Sequence, residues 1–187
     1  GPLLTKFGDK GTNRYNPSDT ATALGANYRM SELHAAFVAA QLTRLEDIVT
    51  KRSRLGNLLT AELEGVRGFA THLVDKEDRC SYWFYLARLV PKELSCDRAQ
   101  FTKALAAEGA SFSNGYIATA VYGMRMFQNH SFFAGHWPIK ELGLTTMDYT
   151  KVHCPVTEEI LKTCMLFRVN EAMDEEYIRA VARAVRK

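Results

Sequence analysis

The most regular feature of the sequence is a run of apolar residues spaced three or four positions apart, which begins after residue 31. Its apolar members are Leu33, Phe37, Ala40, Leu45, Ile48, Val49, Leu55, Leu58, Leu59 and Leu63. This spacing places them on one stripe of a helix. Ser31 is a suitable N-cap, and Glu32 follows it at the positive end of the helix dipole. The pattern predicts one long helix, or two nearly collinear helices, that runs to about Leu63 and stops before Gly65.

The opposite face of this helical stretch is charged. It carries Arg44, Glu46, Asp47, Lys51, Arg52 and Arg54, which are predicted to point outward into solvent. At about 1.5 Å per residue, the whole stretch is on the order of 50 Å long. A single small domain cannot cover a helix of that length, so part of it is predicted to pack on another domain or subunit.

A strand and a helix are predicted next. Residues 81–90 read SYWFYLARLV, with aromatic and aliphatic side chains but no helical stripe, and Pro91 closes them. They predict a strand that is buried on at least one face. Asp97 and Gln100 have the spacing of a capping box, and the helix that they begin is predicted to stop at Gly109.

The C-terminal third alternates regular and irregular segments. A short strand is predicted at 110–112, followed by an irregular segment over 113–154 that is rich in glycine, asparagine, histidine and aromatic residues. A short helix from about Thr157, a strand at 165–169 and a last helix from Asp174 complete the chain. The predicted inward positions of the last helix are Tyr177, Ile178, Val181 and Val185.

Together these elements predict an α/β fold with α+β character and two parts. Residues 1–64 form an interface loop, which covers about the first 24 residues, and the long helices. Residues 65–187 form a small α/β domain with a short mixed or antiparallel sheet and helices on one face.

Composition and charge exclude several classes of protein. The chain of 187 residues is 47% hydrophobic and 24% charged, which is typical of a globular protein. Its formal net charge of +3 is small, and basic residues of the helical stretch are balanced by acidic ones, which disfavours a nucleic-acid binder. No window contains the roughly 20 apolar residues that span a membrane, and no signal peptide is recognisable. The sequence predicts a cytoplasmic protein.

The cysteines and histidines indicate no metal site. Cys80, Cys96, Cys154 and Cys164 lack metal-ligand spacing, and we interpret them as reduced and mostly buried thiols. His130 and His136 are six residues apart with no third ligand nearby, so neither is assigned to a metal. A reactive thiol at Cys154, before Pro155, stays the less favoured alternative to a buried structural cysteine.

Residues 25–37, GANYRMSELHAAF, are the best candidate for binding chemistry. An asparagine and an arginine at a helix entrance, Asn27 and Arg29, are suited to hold an anion. The alternative is that Arg29 pairs with Glu32 across one helical turn while Asn27 caps a loop. The residues alone favour this alternative.

The same stretch, with AAQLTRLEDI at 39–48, resembles the segment after the catalytic lysine in the DegT/StrS sugar aminotransferases. That family carries a pattern close to G-x-N-Y-R-M-[ST]-[ED]-x-x-A-A, then Q-L-x-x-L. The matching residues are Gly25, Asn27, Tyr28, Arg29, Met30, Ser31, Glu32, Ala35, Ala36, Gln41, Leu42 and Leu45. The upstream KGTNRYN at 10–16 is also similar to some members. The resemblance is specific over 25–45 and mostly architectural after residue 80.

The resemblance implies a pyridoxal-phosphate enzyme of fold type I. Such an enzyme transfers an amino group from glutamate or glutamine to a keto-sugar or keto-cyclitol. Family members place the cofactor site at a dimer interface, which implies a homodimer through residues 25–64. It also implies that Asn27 and Arg29 approach the phosphate bound mainly by the other subunit, and it reverses the preference for the Glu32 pairing.

The family's catalytic residues are not recognisable in this chain. The family places the Schiff-base lysine, an acidic partner for the pyridine nitrogen and a stacking aromatic ring upstream of this segment. No lysine here has a matching context, so no catalytic residue is assigned. We interpret the chain as the C-terminal part of an aminotransferase that is inactive alone and lacks the cofactor, which the full-length enzyme binds. The alternative is a free-standing, non-catalytic dimerisation or binding module derived from this family.

Substrate contacts are predicted in the irregular segment, within GYIATAVYGMRMF at 115–127. Tyr116 and Tyr122 offer hydroxyl groups to a sugar or cyclitol, and Arg125 offers a forked donor. The alternative, that the tyrosines pack the end of the strand, is equally open. The stretch CPVTEEIL at 154–161 resembles family members that act on cyclitols more than typical hexose enzymes.

Overall fold

The structure is a computed structural model that describes residues 2–12 and 24–187. The chain divides into two compact units, Gly1–Asp47 and Ile48–Lys187, which are described separately. The division that the sequence predicts after residue 64 concerns the domains of a complete protein and stays a prediction.

The first unit begins with a helix that the sequence analysis missed. Helix α1 (Pro2–Gly8) occupies part of the predicted N-terminal loop, so that prediction is wrong for these residues, while 13–23 lie outside the described residues. Helix α2 (Glu32–Leu42) begins at the predicted N-cap, where the Ser31 side chain accepts a hydrogen bond from the His34 N–H. Helix α3 (Leu45–Leu63) follows, and the predicted helical stretch is therefore two helices that end at the predicted residue.

The end of α1 pairs with the segment before α2. An isolated antiparallel bridge joins Asp9 to Asn27, and the Tyr28 N–H donates to the carbonyl of Gly8 at 3.0 Å. The two segments approach closely at Gly25, where an added Cβ would lie 2.7 Å from the backbone nitrogen of Gly11. Any larger side chain at this position would push the segments apart, which explains the glycine.

Eight of the eleven residues of helix α2 are apolar, and none of its residues is buried. Its large exposed apolar side chains are Leu33, Phe37, Val38 and Leu42. A helix with so large an exposed apolar surface is normally covered by protein or lipid. The expectation that part of the helical stretch packs on another domain or subunit stays a prediction, and the exposure of α2 is consistent with it.

The second unit contains a four-stranded antiparallel sheet in the order β1-β2-β4-β3. Its strands are β1 (Phe69–Ala70), β2 (Tyr85–Leu89), β3 (Phe112–Ser113) and β4 (Cys164–Phe167). In β2, residues 85, 87 and 89 are buried, and the register sets Tyr85 opposite Phe167 and Ala87 opposite Met165. The predicted fold class is confirmed. All four residues of β4 are buried, so both of its faces are covered.

Helices pack on this sheet around one hydrophobic core. Helix α4 (Arg98–Ala107) has the predicted capping box between Asp97 and Gln100. Helices α7 (Pro155–Thr163) and α8 (Glu175–Arg186) follow, and the core joins α8 to α3 and to the sheet. Its helical members include Leu55, Leu59, Leu63, Ile178, Val181 and Val185. Tyr177, which was predicted to point inward, is 38% exposed.

The segment between β3 and α7 is irregular, as predicted. It contains two four-residue helices, α5 (Arg125–Gln128) and α6 (Pro138–Glu141), and 3₁₀ turns at Val121–Gly123 and Tyr149–Lys151. Its own aromatic cluster consists of Phe127, Phe132, Trp137 and Tyr149, with ring centroids between 5.0 and 6.2 Å apart. These rings give the segment a local apolar centre in place of regular secondary structure.

In the part of the chain that the structure describes, no helix is both long enough and apolar enough to cross a membrane.

Candidate functional site

Arg29 lies in a small polar cluster immediately before α2. Its Nε is 3.1 Å from Asp9 Oδ1 and 3.0 Å from Asn27 Oδ1. The Asn27 side chain also accepts a hydrogen bond from the backbone N–H of Arg29 at 3.3 Å. The bridge between Asp9 and Asn27 brings the carboxylate to this place, and the Asp9 side chain is only 10% exposed.

This geometry bears on the alternative in which Arg29 pairs with Glu32, which the sequence left open. The pairing of Arg29 with Glu32 is not formed among the described residues, because the guanidinium turns to Asp9 and Asn27. The same alternative expected Asn27 to make a local contact with its loop, and its side chain does accept a hydrogen bond from the Arg29 backbone N–H. Asp9 is not among the predicted site residues, and its only signal in the sequence is an acidic residue between two glycines in the stretch FGDKG.

The cluster leaves hydrogen-bond donors available. Arg29 uses only Nε in its contacts with described residues, and its side chain is 37% exposed. Asn27 uses its amide oxygen, so its two amide N–H groups are also uncommitted to described residues. Guanidinium and amide N–H groups at a helix N-terminus form a donor set that suits a phosphate. The residues present therefore fit the phosphate group of pyridoxal phosphate.

A second candidate site is a cavity of about 970 Å³ in the second unit. Its wall contains the aromatic side chains of Trp83, Phe84 and Tyr116, which contact one another, and the cationic side chains of Arg52 and Arg168. A cavity with a largely apolar wall and a few polar groups is typical of a small-molecule site.

Neighbouring elements position these cavity residues. Arg52, on α3, donates from Nη2 to the Tyr82 carbonyl at 2.6 Å, so the prediction that it points outward into solvent is wrong. Arg168 follows β4 and is exposed. Tyr116 follows a turn in which Gly115 has φ +86, and an added Cβ at Gly115 would lie 3.3 Å from Cys164 Sγ. Of the three predicted substrate-binding residues, Tyr116 alone lines this cavity.

Tyr122 and Arg125 lie elsewhere. The Tyr122 hydroxyl donates to Glu158 Oε1 at 2.5 Å and accepts from the Cys154 N–H at 3.1 Å, while His153 Nδ1 is 2.7 Å from the same carboxylate oxygen. The hydrogen bond to Glu158 raises the pKa of Tyr122, and the same bond lowers the pKa of Glu158. Arg125 begins α5. The Tyr122 hydroxyl therefore fastens the irregular segment to α7.

The thiols differ from expectation in their burial. Cys164 is buried, whereas Cys80, Cys96 and Cys154 are half-buried, and all four are free. The prediction of mostly buried thiols is therefore wrong for three of them. Within residues 2–12 and 24–187, no group of three or more candidate ligands is arranged to hold a metal ion.

The chain matches the sequence profile of the DegT/DnrJ/EryC1/StrS aminotransferase family over residues 3–186. This match covers almost the whole chain, including both candidate sites and the GANYRMSELHAAF stretch.

Solved structures with the same fold are aminotransferases and a related synthase. The aminotransferase of Psychrobacter cryohalolentis is 18% identical with a TM-score of 0.72, over 98% of this chain and 47% of its own. A 3-amino-5-hydroxybenzoic acid synthase is 19% identical with a TM-score of 0.71, over 99% of this chain and 45% of its own. The aminotransferase TlmJ of Streptoalloteichus hindustanus is 18% identical with a TM-score of 0.62, over 98% of this chain and 43% of its own.

At these identities the structural likeness is one of fold, and the chain spans less than half the length of each of these structures. The assignment of the chain to a family rests on the profile match, because that match extends over nearly every residue. The chain belongs to the DegT/DnrJ/EryC1/StrS aminotransferase family.

Proposed function

We propose that this chain is the C-terminal part of a pyridoxal-phosphate-dependent aminotransferase. Such an enzyme moves an amino group from glutamate or glutamine to a keto-sugar or keto-cyclitol. The observation that carries the proposal is the family match over residues 3–186, joined to the uncommitted donors of Asn27 and Arg29 inside its most specific motif.

Asn27 and Arg29 are proposed to hold the cofactor's phosphate. The contact between Asp9 and Arg29 Nε fixes the guanidinium and leaves its terminal nitrogens for a ligand. The Asp9 carboxylate offsets part of the positive charge, so the site holds the phosphate by directed hydrogen bonds as well as by charge. When bound, pyridoxal phosphate supplies the electron sink for amino transfer. This chain's residues bind and orient it.

The Schiff-base lysine is proposed to belong to chain that precedes this sequence in the complete enzyme. The lysines of this chain have no context like that of the family's catalytic lysine. This chain is then proposed to have two roles. It contributes part of the phosphate site, and it supplies the domain that closes over the substrate.

A homodimer through residues 25–64 is the proposed assembly. Its support is α2, which exposes Phe37 at 67% and Leu33 at 85% and has no buried residue. Covering such a helix removes apolar surface from water, which favours association. In this arrangement the Asn27 and Arg29 of one subunit serve the cofactor bound mainly by the other.

Substrate contacts are proposed at Tyr116, with Tyr122 and Arg125 as further candidates. Tyr116 has the strongest support because it lines the cavity and is 62% exposed. The Tyr122 hydroxyl already donates to Glu158, so a role for Tyr122 would use its ring or its acceptor capacity. Among the proteins with the same fold is the sugar aminotransferase CalS13 of Micromonospora echinospora, which favours a sugar acceptor.

The donor half of the reaction tests this proposal without knowledge of the acceptor. The complete natural protein, loaded with pyridoxal phosphate, is mixed with glutamate or glutamine. We expect the donor to change the visible absorbance of the bound cofactor and to yield the corresponding keto acid. A folded protein that changes with neither donor would contradict the aminotransferase proposal and favour a non-catalytic module.

A further inference from the structure

The 970 Å³ cavity has an unbalanced positive charge. Arg52 and Arg168 both line it, and none of the described residues in its wall is acidic. The other polar groups in the wall are neutral, namely the side chains of Ser111, Ser113 and Asn170 and the hydroxyl groups of Tyr116 and Tyr177. A concave site with one sign of charge and apolar walls concentrates ligands of the opposite charge.

Neither arginine is neutralised by the described residues. Arg54, near Arg52 on α3, lies 3.3 Å from Glu175, and Arg179 lies 3.3 Å from Glu62. By contrast, Arg52 makes one hydrogen bond, to a backbone carbonyl, and its buried Nε has no partner within the described part of the chain. Among the described residues, Arg168 makes no ion pair and no side-chain hydrogen bond. Unpaired guanidinium groups in a cavity are available for an anion.

The rest of the wall suits an organic ligand. The ring centroid of Trp83 is 5.8 Å from that of Tyr116, and the Phe84 and Tyr116 centroids are 5.6 Å apart. Trp83 is 67% exposed, so much of its ring is accessible to a ligand. Exposed rings beside arginine provide an apolar surface for a carbon skeleton and a charge for its acidic group.

We propose that this cavity binds an organic oxyanion, with the acidic group on Arg168 and Arg52 and the carbon skeleton against Trp83, Phe84 and Tyr116. This proposal rests on the proposed function, because it takes the ligand to be one of the reactants of the proposed aminotransferase. Two reactants of such an enzyme carry a suitable group. One is the amino donor and its keto-acid product, which have carboxylates, and the other is a nucleotide-linked sugar, which has a diphosphate.

Nitrogen-15 NMR of this chain tests the proposal with its two tryptophans. Trp83 lies in the cavity wall and Trp137 lies in the separate aromatic cluster, so the two indole N–H signals report bound and reference positions. The signals are assigned with Trp83→Phe. The probes are 2-oxoglutarate for the carboxylate source and uridine diphosphate for the diphosphate source, with sodium chloride at matched ionic strength as a screening control.

We expect a saturable shift of the Trp83 signal, with Trp137 unchanged. In Arg168→Gln, binding is expected to weaken by about tenfold or more, because a hydrogen-bonded charge partner is lost. Arg183→Gln is the matched control, since Arg183 is also exposed and lies outside the cavity wall. Thermal unfolding of each variant checks that the fold is retained.

The outcomes distinguish a carboxylate ligand from a diphosphate ligand, and they test the cavity proposal separately from the aminotransferase proposal. A response to 2-oxoglutarate alone identifies the amino donor, and a response to uridine diphosphate alone identifies the nucleotide-linked reactant. No saturable shift with either probe, or equal weakening by Arg168→Gln and Arg183→Gln, would overturn the cavity proposal. The measurement needs neither lysine nor cofactor, so its failure leaves the donor test of the complete protein to be decided separately.

Discussion

Arg29 Nε lies 3.1 Å from Asp9 Oδ1, across a bridge that joins the end of α1 to the segment before α2. This pairing orients a residue of the family motif through a partner outside the motif. The Asn27 amide oxygen is the second acceptor for the same Nε, at 3.0 Å. Together they fix one edge of the guanidinium and leave the other edge for a ligand.

Replacing Asp9 with asparagine is expected to loosen Arg29. The charge-assisted hydrogen bond is lost, so the Arg29 Nε–H should exchange faster with solvent, as measured by nitrogen-15 NMR of this chain. Glu32→Gln is the matched control, because Glu32 is the local alternative partner. If Glu32→Gln accelerates the exchange and Asp9→Asn does not, the assigned pairing is wrong.

Gly56 is predicted to tolerate no side chain. A Cβ at this position would lie 2.5 Å from Cγ of Tyr82, a buried ring that stacks on Tyr85 at 5.8 Å. The Tyr82 hydroxyl also donates to Asn57 at 2.7 Å, so the ring cannot move freely. Gly56→Ala should lower the free energy of unfolding by about 1–3 kcal/mol, through overpacking.

Urea unfolding followed by circular dichroism measures this loss. Gly8→Ala is the control, because an added Cβ there has nothing within 4 Å and alanine favours a helix. We expect Gly8→Ala to be neutral or slightly stabilising. A Gly56→Ala protein as stable as the unchanged chain would show that the Tyr82 ring can shift, contrary to this packing.

His72 should make stability depend on pH. Burial lowers the pKa of His72 below its ordinary value of 6.5, and a hydrogen bond at the Leu86 backbone opposes this in part. The unfolded chain therefore binds more protons in the window below 6.5. The stabilisation is complete above the unfolded pKa and is lost as the pH falls towards the folded one.

The urea midpoint should accordingly rise with pH through that window. His72→Phe is expected to reduce this slope, since no group at the position titrates, while His34→Gln, at an exposed position, should keep it. An unchanged slope in His72→Phe would assign the pH dependence to other groups.

The sequence predicts features that depend on residues a few positions apart. Ser31 and the Asp97–Gln100 pair cap their helices as expected, because an N-cap is a contact over two or three residues. The order of strands and helices after residue 80 follows for the same reason, from local apolar patterns and turn residues. The interface expected over residues 25–64 stays a prediction, which the exposed apolar side chains of α2 support.

The features that the sequence did not predict depend on distant contacts. Arg52 is half-buried because its partner is the carbonyl of Tyr82, 30 positions away. Tyr122 reaches Glu158 over 36 positions, which gives its hydroxyl a structural partner that no local pattern reveals. Asp9 likewise meets Arg29 only because Gly25 permits the two segments to approach.

The most direct test of the account is the affinity of the complete natural protein for pyridoxal phosphate, measured by equilibrium dialysis. Arg29→Gln is compared with Arg183→Gln, an exposed arginine outside the polar cluster and outside the proposed interface. We predict that the unchanged protein binds the cofactor, that Arg29→Gln binds it about tenfold more weakly or worse, and that Arg183→Gln binds it normally. A folded complete protein that binds no pyridoxal phosphate, or whose affinity is the same with and without Arg29, would contradict the account.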